Sequence, residues 1–366
     1  MSKAAELANL IGNINAGGGG VNRNILINGN MNVKQRDAGG FTGVGGSSVY
    51  HLDRWYFYAL NTAGRFSSDQ VADAPTGFAN SLRLTCTTAD TSIAADELLI
   101  FQQRIEGQNV QQFAKGTSGA KPITVSFYVK GNAAATYTAE LEDSDNSRYN
   151  SQEFSVTTDW TRVTKTFVAD TTGTLDNDNA VSFRLNIWLH AGSTYTGGTH
   201  TDNVWHTTDN QRVGDNQTSI FDSTSRTFFI TGVQIEVGSE ATPFEHRSFG
   251  DELLRCQRYF YALLRRDMNE DQQIGSYYST TRAFINVPHK VSMRTAPTIS
   301  VVGSVGADIY SAAGYISTTT LANSYPRIES TGLDFTPASS GTAGNAFHLD
   351  WTITASTSYI QANAEL

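Results

Sequence analysis

Short stretches that alternate apolar and polar side chains recur along most of this chain, and their spacing limits the fold more than any other feature. Alternation with a period of two indicates β-strands that each bury one face. No stretch between them is long enough for a convincing helix, so the pattern predicts an antiparallel β-sandwich. The clearest stretches are residues 81–87, 97–105, 122–131, 136–143, 161–169, 181–190 and 226–238.

Composition excludes several classes of protein. The net charge is −9 and no long basic run occurs, so we expect no nucleic-acid partner. The first residues lack the basic start and apolar core of a secretory signal. The chain has no run of about 18 apolar residues, so we expect no membrane insertion. Cys86 and Cys256 are far apart and have no metal-binding spacing, so we expect two buried free thiols.

The N-terminal segment combines an apolar stripe with a flexible linker. Apolar side chains at helical spacing predict a short amphipathic helix within residues 2–14, and a helix this short is marginal alone in water. Packing on the rest of the chain is one interpretation. The glycine run at 17–20 favours a tethered helix that self-associates or docks on a partner. The stripe consists of Leu7, Leu10, Ile11 and Ile14.

A second β-rich region follows residue 260. Alternating stretches there predict about five to seven strands and a smaller C-terminal β-sandwich. Residues 311–324 carry no charge, and we interpret them as a loop. Between the two regions, alternation over 230–237 places Val233, Ile235 and Val237 toward the first core and Ile230 on the opposite face. Phe244 and Phe249 are expected to pin the chain where it leaves that strand, before a short helix near Glu252.

Several motifs occur in the order seen in carbohydrate-binding-module-like jelly rolls. They are NILINGNMNV (24–33), DRWYF (53–57), ITVSFYVKG (123–131), DWTRVTKTF (159–167) and FFITGVQIEVGSEATPFEHR (228–247). The closing stretch, through GDELLRCQRYF (250–260), resembles bacteriophage tail-fibre and head-fibre virion proteins, in which a jelly roll precedes a C-terminal β domain. The resemblance covers roughly residues 22–301.

This resemblance implies an all-β virion protein in three parts. Residues 1–21 are an anchor helix with a Gly-rich linker, residues 22–247 a jelly-roll domain, and residues 248–366 a smaller β-rich tip. The family implies a homotrimer on the surface of the phage particle. Residues 1–20 would then attach it to a tail or capsid protein, and a host cell-surface glycan would be a further partner.

A long polar insertion between two strands, residues 190–212, holds the candidate glycan-binding residues. An aromatic ring can stack on the apolar face of a sugar while Asp and Arg bond its hydroxyls. The alternatives are a loop that Trp205 pins onto the sandwich, and a subunit contact. The candidates are Tyr195, Asp202, Trp205, Asp209 and Arg212.

Four clustered acidic residues are the remaining chemical feature. They lie where a strand runs into a turn, so we expect them to be solvated and not catalytic. Clustered carboxylate oxygens suit Ca²⁺, which leaves a structural calcium ion as the one cofactor to consider. No nucleotide-binding, zinc-hydrolase or GxSxG motif is present. The four residues are Glu140, Glu142, Asp143 and Asp145.

Three functions remain open at this point. The first is a host-recognition fibre or spike that binds a surface glycan. The second is a head fibre or capsid decoration protein without a receptor role. The third is an enzyme that cleaves a surface polysaccharide, which the ordinary acidic residues disfavour. We therefore predict a structural, non-enzymatic virion protein.

Overall fold

A computed structural model describes the chain as two compact units, and each is considered by itself. The first unit comprises residues 1–34, 39–249 and 366, and the second comprises residues 35–38 and 250–365. The predicted anchor residues Leu7, Leu10, Ile11 and Ile14 lie outside the described part of the chain. The described residues are 3, 22–36, 41–44, 48–265, 272–303, 307–311, 314–351 and 359–366.

The first unit is a sandwich of two six-stranded antiparallel sheets. In chain order, its strands are β1 (Phe41–Val44), β2 (Val49–Tyr50), β3 (Tyr56–Leu60), β4 (Arg65–Val71), β5 (Ser81–Thr88), β6 (Leu98–Glu106), β7 (Ile123–Gly131), β8 (Ala135–Asp143), β9 (Arg148–Val156), β10 (Thr161–Phe167), β11 (Val181–Ala191) and β12 (Thr227–Val237). Sheet A has the order β1-β4-β5-β12-β7-β10, and sheet B has the order β2-β3-β6-β11-β8-β9. This arrangement confirms the jelly-roll prediction.

The core of the first unit lies between the inner faces of the two sheets. Alternate residues of β7 and β11 point inward, among them Phe127, Val129, Leu185 and Ile187, and all four are buried. Trp55 stacks on Phe101 with ring centroids 4.6 Å apart, so the tryptophan fills the core rather than a surface. Burying aromatic rings of this size supplies much of the hydrophobic stabilisation.

Strand β12 contains a bulge that the alternation pattern does not reveal. Its pairing with β7 shifts register between Thr231 and Gln234, and Gly232 has φ +63°. A bulge adds one residue and restarts the alternation, which glycine permits because it has no Cβ. Val233 and Ile235 are buried in the core as predicted, but Ile230 is buried there too. Its predicted position on the opposite face is therefore wrong.

The exit from β12 is fixed by one of the two phenylalanines expected there. The Phe244 ring packs on Phe78 at 5.1 Å and on His246 at 4.9 Å. Phe249 is mostly exposed and begins the helix α2 (Phe249–Gln257), so the expected role of Phe249 as a pin is wrong. A shorter helix, α1 (Ser193–Thr196), lies in the insertion between β11 and β12. The 3-10 turns are Gly107–Asn109, Gln111–Phe113 and Asp209–Gln211.

The second unit contains a closed six-stranded barrel and a three-stranded sheet. Its strands are β13 (Phe260–Arg265), β14 (Gln272–Ser279), β15 (Arg282–Pro288), β16 (Thr298–Val302), β17 (Ala307–Ser311), β18 (Gly314–Pro326), β19 (Ser330–Pro337), β20 (Ala346–Trp351) and β21 (Tyr359–Asn363). The barrel has the order β14-β15-β19-β18-β17-β20, and the sheet has the order β13-β21-β16. The all-β prediction is confirmed in this unit as well.

Two predictions for the second unit are wrong. A β-sandwich of about five to seven strands was expected, but six of the nine described strands close into a barrel, and this closure depends on strand pairing that alternation does not specify. The segment interpreted as a loop, 311–324, includes most of β18, which pairs with both β17 and β19. Its run of threonines carries little hydrophobic signal. Threonine is nevertheless β-branched and fits a pleated strand well.

Within the described part of the chain, none of the helices has the length and apolarity needed to cross a membrane.

Candidate functional site

The outer face of sheet B carries the two glutamates of the acidic cluster. Strands β8 and β11 are neighbours, and their register places Glu140 opposite Asn186 and Glu142 opposite Arg184. Because β8 alternates, Tyr137, Ala139 and Leu141 point into the core while the glutamates point away from it. The insertion between β11 and β12 then covers both glutamates, so that Glu140 is fully buried and Glu142 nearly so.

Arg212 supplies the opposite charge. Its guanidinium donates to both Glu140 oxygens, at 2.9 and 2.7 Å, and to Glu142 at 3.0 Å. Arg184 donates to the other oxygen of Glu142 at 2.7 Å, and the Asn186 amide bridges both carboxylates at 2.7 and 2.8 Å. Our expectation of solvated glutamates is therefore wrong, because a residue far along the chain covers and neutralises them.

Aromatic rings complete this buried network. The Arg212 guanidinium lies 3.9 Å from the ring centroid of Tyr149 and 5.1 Å from that of Trp188. Tyr195 packs on Trp188 from the insertion, with ring centroids 5.1 Å apart. Burial alone disfavours the charged guanidinium, but Glu140 and Glu142 outweigh burial and raise the Arg212 pKa further. The network anchors the insertion to the sheet.

The other two acidic residues have separate partners. Asp143 pairs with the buried Lys115 and accepts hydrogen bonds from Asn146, while the exposed Asp145 accepts one from the Asp176 amide at 2.9 Å. The four carboxylates are thus divided among different protein donors. The calcium site stays a prediction, in which a cation would compete with these donors for the oxygens.

The structure places the five predicted glycan-binding residues in different surroundings rather than in one site. Tyr195 and Arg212 belong to the buried network, and Asp209 lies 3.8 Å from Arg212 with most of its side chain exposed. Asp202 accepts a hydrogen bond from the Glu153 amide at 3.2 Å. Trp205 packs against the sandwich.

Trp205 holds the insertion against the sandwich. Its indole N–H donates to the Val168 carbonyl at 2.8 Å, and Lys115 Nζ lies 5.0 Å from its ring centroid. The ring is partly buried against the core of the first unit. A ring held in this way has lost much of the surface that a sugar would need, which favours the alternative of a pinned loop.

A further cluster of titratable groups was not recognised in the sequence. Potential ligand atoms of Asp90, Glu97 and His190 lie within 4.8 Å of one another, and all three residues are buried. His190 Nε2 is 3.1 Å from Glu97 and Nδ1 is 2.8 Å from the Ser219 hydroxyl, while Asp90 accepts from Thr62 at 3.0 Å. Burial lowers the His190 pKa, against the opposing charge of Glu97. The cluster is satisfied by protein partners.

A groove with a polar and aromatic lining lies on the outside of the barrel and has a volume of about 370 Å³. Strands β15, β19 and β18 run side by side there, and their register places Asn286, Gly332 and Tyr325 in one row. Residues 283, 285 and 287 are buried, so the intervening residues of β15 face outward. We call this surface the barrel groove. It is lined by Tyr278, Phe284, Asn286, Tyr325, Arg327 and Gly332.

Glycine at position 332 keeps the barrel groove open. A Cβ at this position would lie 2.7 Å from Phe284 Cζ and 3.4 Å from Tyr325 Cβ. Tyr278 and Tyr325 are 58% and 46% exposed and line the same groove, so together they present apolar ring surface to solvent. Sequence reasoning missed the groove, because alternation marks two faces of β15 but does not say which residues of β18 and β19 lie beside them.

A second groove of about 300 Å³ lies on another part of the barrel. It is lined by Ile274, Tyr310, Ser311, Ala346, Phe347 and His348. Its lining contains one exposed tyrosine and one exposed histidine but no arginine, and Ile274 is strongly exposed. This surface is poorer in hydrogen-bonding groups than the barrel groove.

The described chain is thus an all-β protein with a jelly-roll unit, a barrel-containing unit and an aromatic groove on the barrel. No family model matches the chain, and no curated protein matches it. Among solved structures, it is similar to a protein described as CBM4, with 14% identity over 50% of this chain and 87% of that one, at a TM-score of 0.30.

Two further structures show the same level of similarity. A family 11 carbohydrate-binding module from Clostridium thermocellum shares 14% identity over 57% of this chain and 98% of its own, with a TM-score of 0.28. A CBM22-1 xylan-binding domain from Paenibacillus barcinonensis shares 13% identity over 56% and 99%, with a TM-score of 0.27. Similarity at these scores carries no functional argument.

Proposed function

We propose that this chain is a non-catalytic carbohydrate-binding subunit of a phage fibre or spike, and that the barrel groove holds the glycan. The observation that carries the proposal is the pair of exposed rings, Tyr278 and Tyr325, in a groove whose floor is Gly332. The apolar C–H face of a pyranose stacks on such rings, and polar groups around them fix its orientation.

The polar groups needed for recognition are present in the same groove. The side chains of Asn286 and Arg327 both line it, and both residues are exposed. Neither side chain makes a hydrogen bond or ion pair with another described residue, so both are available to sugar hydroxyls. This proposal places the glycan in the barrel groove rather than in the insertion, where Trp205 and Tyr195 already have protein contacts.

The barrel groove favours binding over cleavage. Glycoside hydrolysis uses two carboxyl groups that flank the scissile bond, and the six lining residues include none. The paired glutamates of the first unit are buried against Arg212. A general acid or base must reach its substrate, and these carboxylates do not.

The virion role rests on the sequence resemblance and is part of the proposal. In this view residues 1–20 dock on a tail or capsid protein, the chain associates as a homotrimer, and the barrel meets the host surface. Deleting residues 1–20 and imaging the particle tests the attachment. We expect the fibre density to disappear; density that persists would contradict attachment through this segment.

A glycan array probed with the full chain tests the carbohydrate-binding role. We expect at least one surface polysaccharide to bind, and the double variant Tyr278→Ala/Tyr325→Ala to lower affinity about tenfold or more, because both stacking surfaces are lost. Tyr315→Ala is the matched control, since Tyr315 is also 58% exposed but lies outside the groove. Binding that survives the double variant unchanged would overturn the assignment, and released oligosaccharides would overturn the non-catalytic role.

A further inference from the structure

The barrel groove contains one arginine, Arg327, whose charge no other residue of the described chain compensates. The Arg327 side chain is exposed and lines the groove, and no other described residue forms a hydrogen bond or ion pair with its guanidinium. The acidic residue nearest to it in sequence, Glu329, instead accepts a hydrogen bond from the Ser292 hydroxyl at 2.6 Å. The groove therefore presents a free cation beside its aromatic rings.

The neighbouring Arg282 has a different role. It pairs with the fully buried Asp334, so its charge is already compensated. Its guanidinium carbon lies 5.2 Å from the Tyr278 ring centroid, and it donates to the Tyr325 hydroxyl at 3.4 Å. Arg282 thus holds the two rings of the groove in place, which reduces the ordering that a ligand would otherwise impose on binding.

From these positions we infer that the barrel groove selects acidic sugars, in which the carboxylate of a hexuronic acid residue pairs with Arg327. This inference rests on the proposed glycan binding and names its substrate class. A guanidinium and a carboxylate are both planar and match through two parallel hydrogen bonds, which a neutral sugar cannot form. The pyranose ring of the same residue supplies the apolar face for the tyrosines.

The dimensions of the groove fit a short stretch of polysaccharide. Asn286, Gly332 and Tyr325 lie on three adjacent strands, so Asn286 and Tyr325 are about 10 Å apart across the glycine. Its volume of about 370 Å³ lies at the small end of the range for ligand sites, which is about 300–1,000 Å³. A single uncompensated cation matches the single negative charge that each hexuronic acid residue carries.

Calorimetric titration of the full chain with hexamers of galacturonic, glucuronic and mannuronic acid tests the inference. The fully methyl-esterified form of each hexamer is the matched ligand, because it keeps the sugar ring and loses the charge. We expect at least one acidic hexamer to bind, and its methyl ester to bind about tenfold or more weakly, in line with the loss of a charge-assisted pair.

Two variants complete the test. Arg327→Gln should weaken binding of the acidic hexamer to the level of the ester and leave binding of the ester unchanged. Lys121→Gln removes one exposed positive charge from the first unit and should change neither affinity. A correct fold of each variant is checked by near-ultraviolet circular dichroism.

The possible failures are distinguishable. Equal binding of acid and ester, or an Arg327→Gln variant with unchanged affinity, would overturn the acidic-sugar inference while the groove remains a glycan site. Binding only of neutral or sulfated glycans would overturn it in the same way. If no glycan of any class binds, or if glycan affinity is unchanged when Tyr278 and Tyr325 are replaced, the proposed function of the groove is itself wrong.

Discussion

The Arg212 guanidinium donates two hydrogen bonds to the Glu140 carboxylate, at 2.9 and 2.7 Å, although 72 residues separate them in the chain. The pair lies on the outer face of sheet B, where Glu140 is fully buried. A buried charge without a partner is strongly destabilising. This contact is therefore one of those that hold the insertion between β11 and β12 against the sheet.

Replacing Arg212 should destabilise the first unit. In Arg212→Met the carboxylates of Glu140 and Glu142 lose their main partner, and we expect the free energy of unfolding to fall by about 3–5 kcal/mol. Urea denaturation followed by tryptophan fluorescence measures the change. The control is Arg83→Met, because the Arg83–Asp69 pair is partly exposed and should contribute less than about 1 kcal/mol. Equal losses in both variants would contradict a buried, stabilising network.

Adding one methyl group to the floor of the barrel groove should close it. In Gly332→Ala the new Cβ would lie 2.7 Å from the Phe284 ring, which must shift into the groove or away from it. We expect glycan affinity to fall by about tenfold or more, with the fold preserved because Gly332 is not among the glycines with positive φ. Gly119→Ala is the control, since its Cβ would meet only the Thr117 hydroxyl at 3.6 Å. Unchanged binding by Gly332→Ala would place the glycan elsewhere.

Acidification should destabilise the first unit through two of its histidines, the buried His190 and the partly buried His206. Burial lowers the pKa of His190 and of His206 below the ordinary value of 6.5, whereas the unfolded side chains keep that value. The unfolded state therefore binds more protons as the pH falls through 6.5, and stability present above this pH is progressively lost below it. We expect lower urea midpoints at about pH 5.5 than at about pH 7.5.

A variant separates the contribution of His190 from that of other groups. In His190→Gln the pH-dependent loss over this range should shrink, although the variant is less stable overall because contacts with Glu97 and Ser219 are lost. Asp90, whose pKa is lowered, titrates below this range, and Glu140, whose pKa is raised by burial, is present in both proteins, so the difference between them reports on His190. An unchanged pH dependence would show that His190 is protonated equally in both states.

Trp205 should hold the insertion in place without contributing to glycan binding. In Trp205→Ala the hydrogen bond to Val168 and the contact with Lys115 are lost, and we expect a cost of roughly 0.5–3 kcal/mol with faster proteolysis inside residues 198–212. Trp160→Ala, whose indole donates to Asp73 instead, should leave the insertion protected. Loss of glycan affinity in Trp205→Ala would instead support the insertion as the glycan-binding site.

Both cysteines should resist labelling in the folded protein. Cys86 and Cys256 are buried and neither forms a disulfide, and burial raises the Cys86 pKa, so little reactive thiolate forms there near neutral pH. We expect a thiol reagent to modify two groups only after denaturation. Rapid labelling of either residue without denaturant would indicate local opening of its surroundings.

Much of the fold could be predicted from local patterns. Alternation identified most strands of the first unit, and a short helix was expected near Glu252, where α2 lies. The alternation pattern gave the wrong prediction at Gly232, where a bulge reverses the faces of β12. It also missed β18, where threonines stand in place of the apolar residues that usually mark a strand. A bulge is set by the partner strand and a polar strand by its neighbours, so neither is visible locally.

The candidate site could likewise be predicted only in part from the sequence. Residue types indicated that the insertion and the acidic cluster were chemically distinctive, but not that Arg212 would neutralise Glu140 and Glu142 or that Trp205 would face the sandwich. The barrel groove has no sequence motif, since it joins residues of β14, β15, β18 and β19 that meet only when the barrel closes.

The sequence by itself determined that this is an all-β protein with two β-rich regions, because a period of two can bury one face only in a strand. The tertiary structure decided which charged groups are buried together, which aromatic rings fill cores, and that Tyr278, Tyr325 and Arg327 share a groove. The physical reason is that local periodicity fixes the conformation of each segment, whereas burial and charge pairing depend on residues brought together from distant parts of the chain.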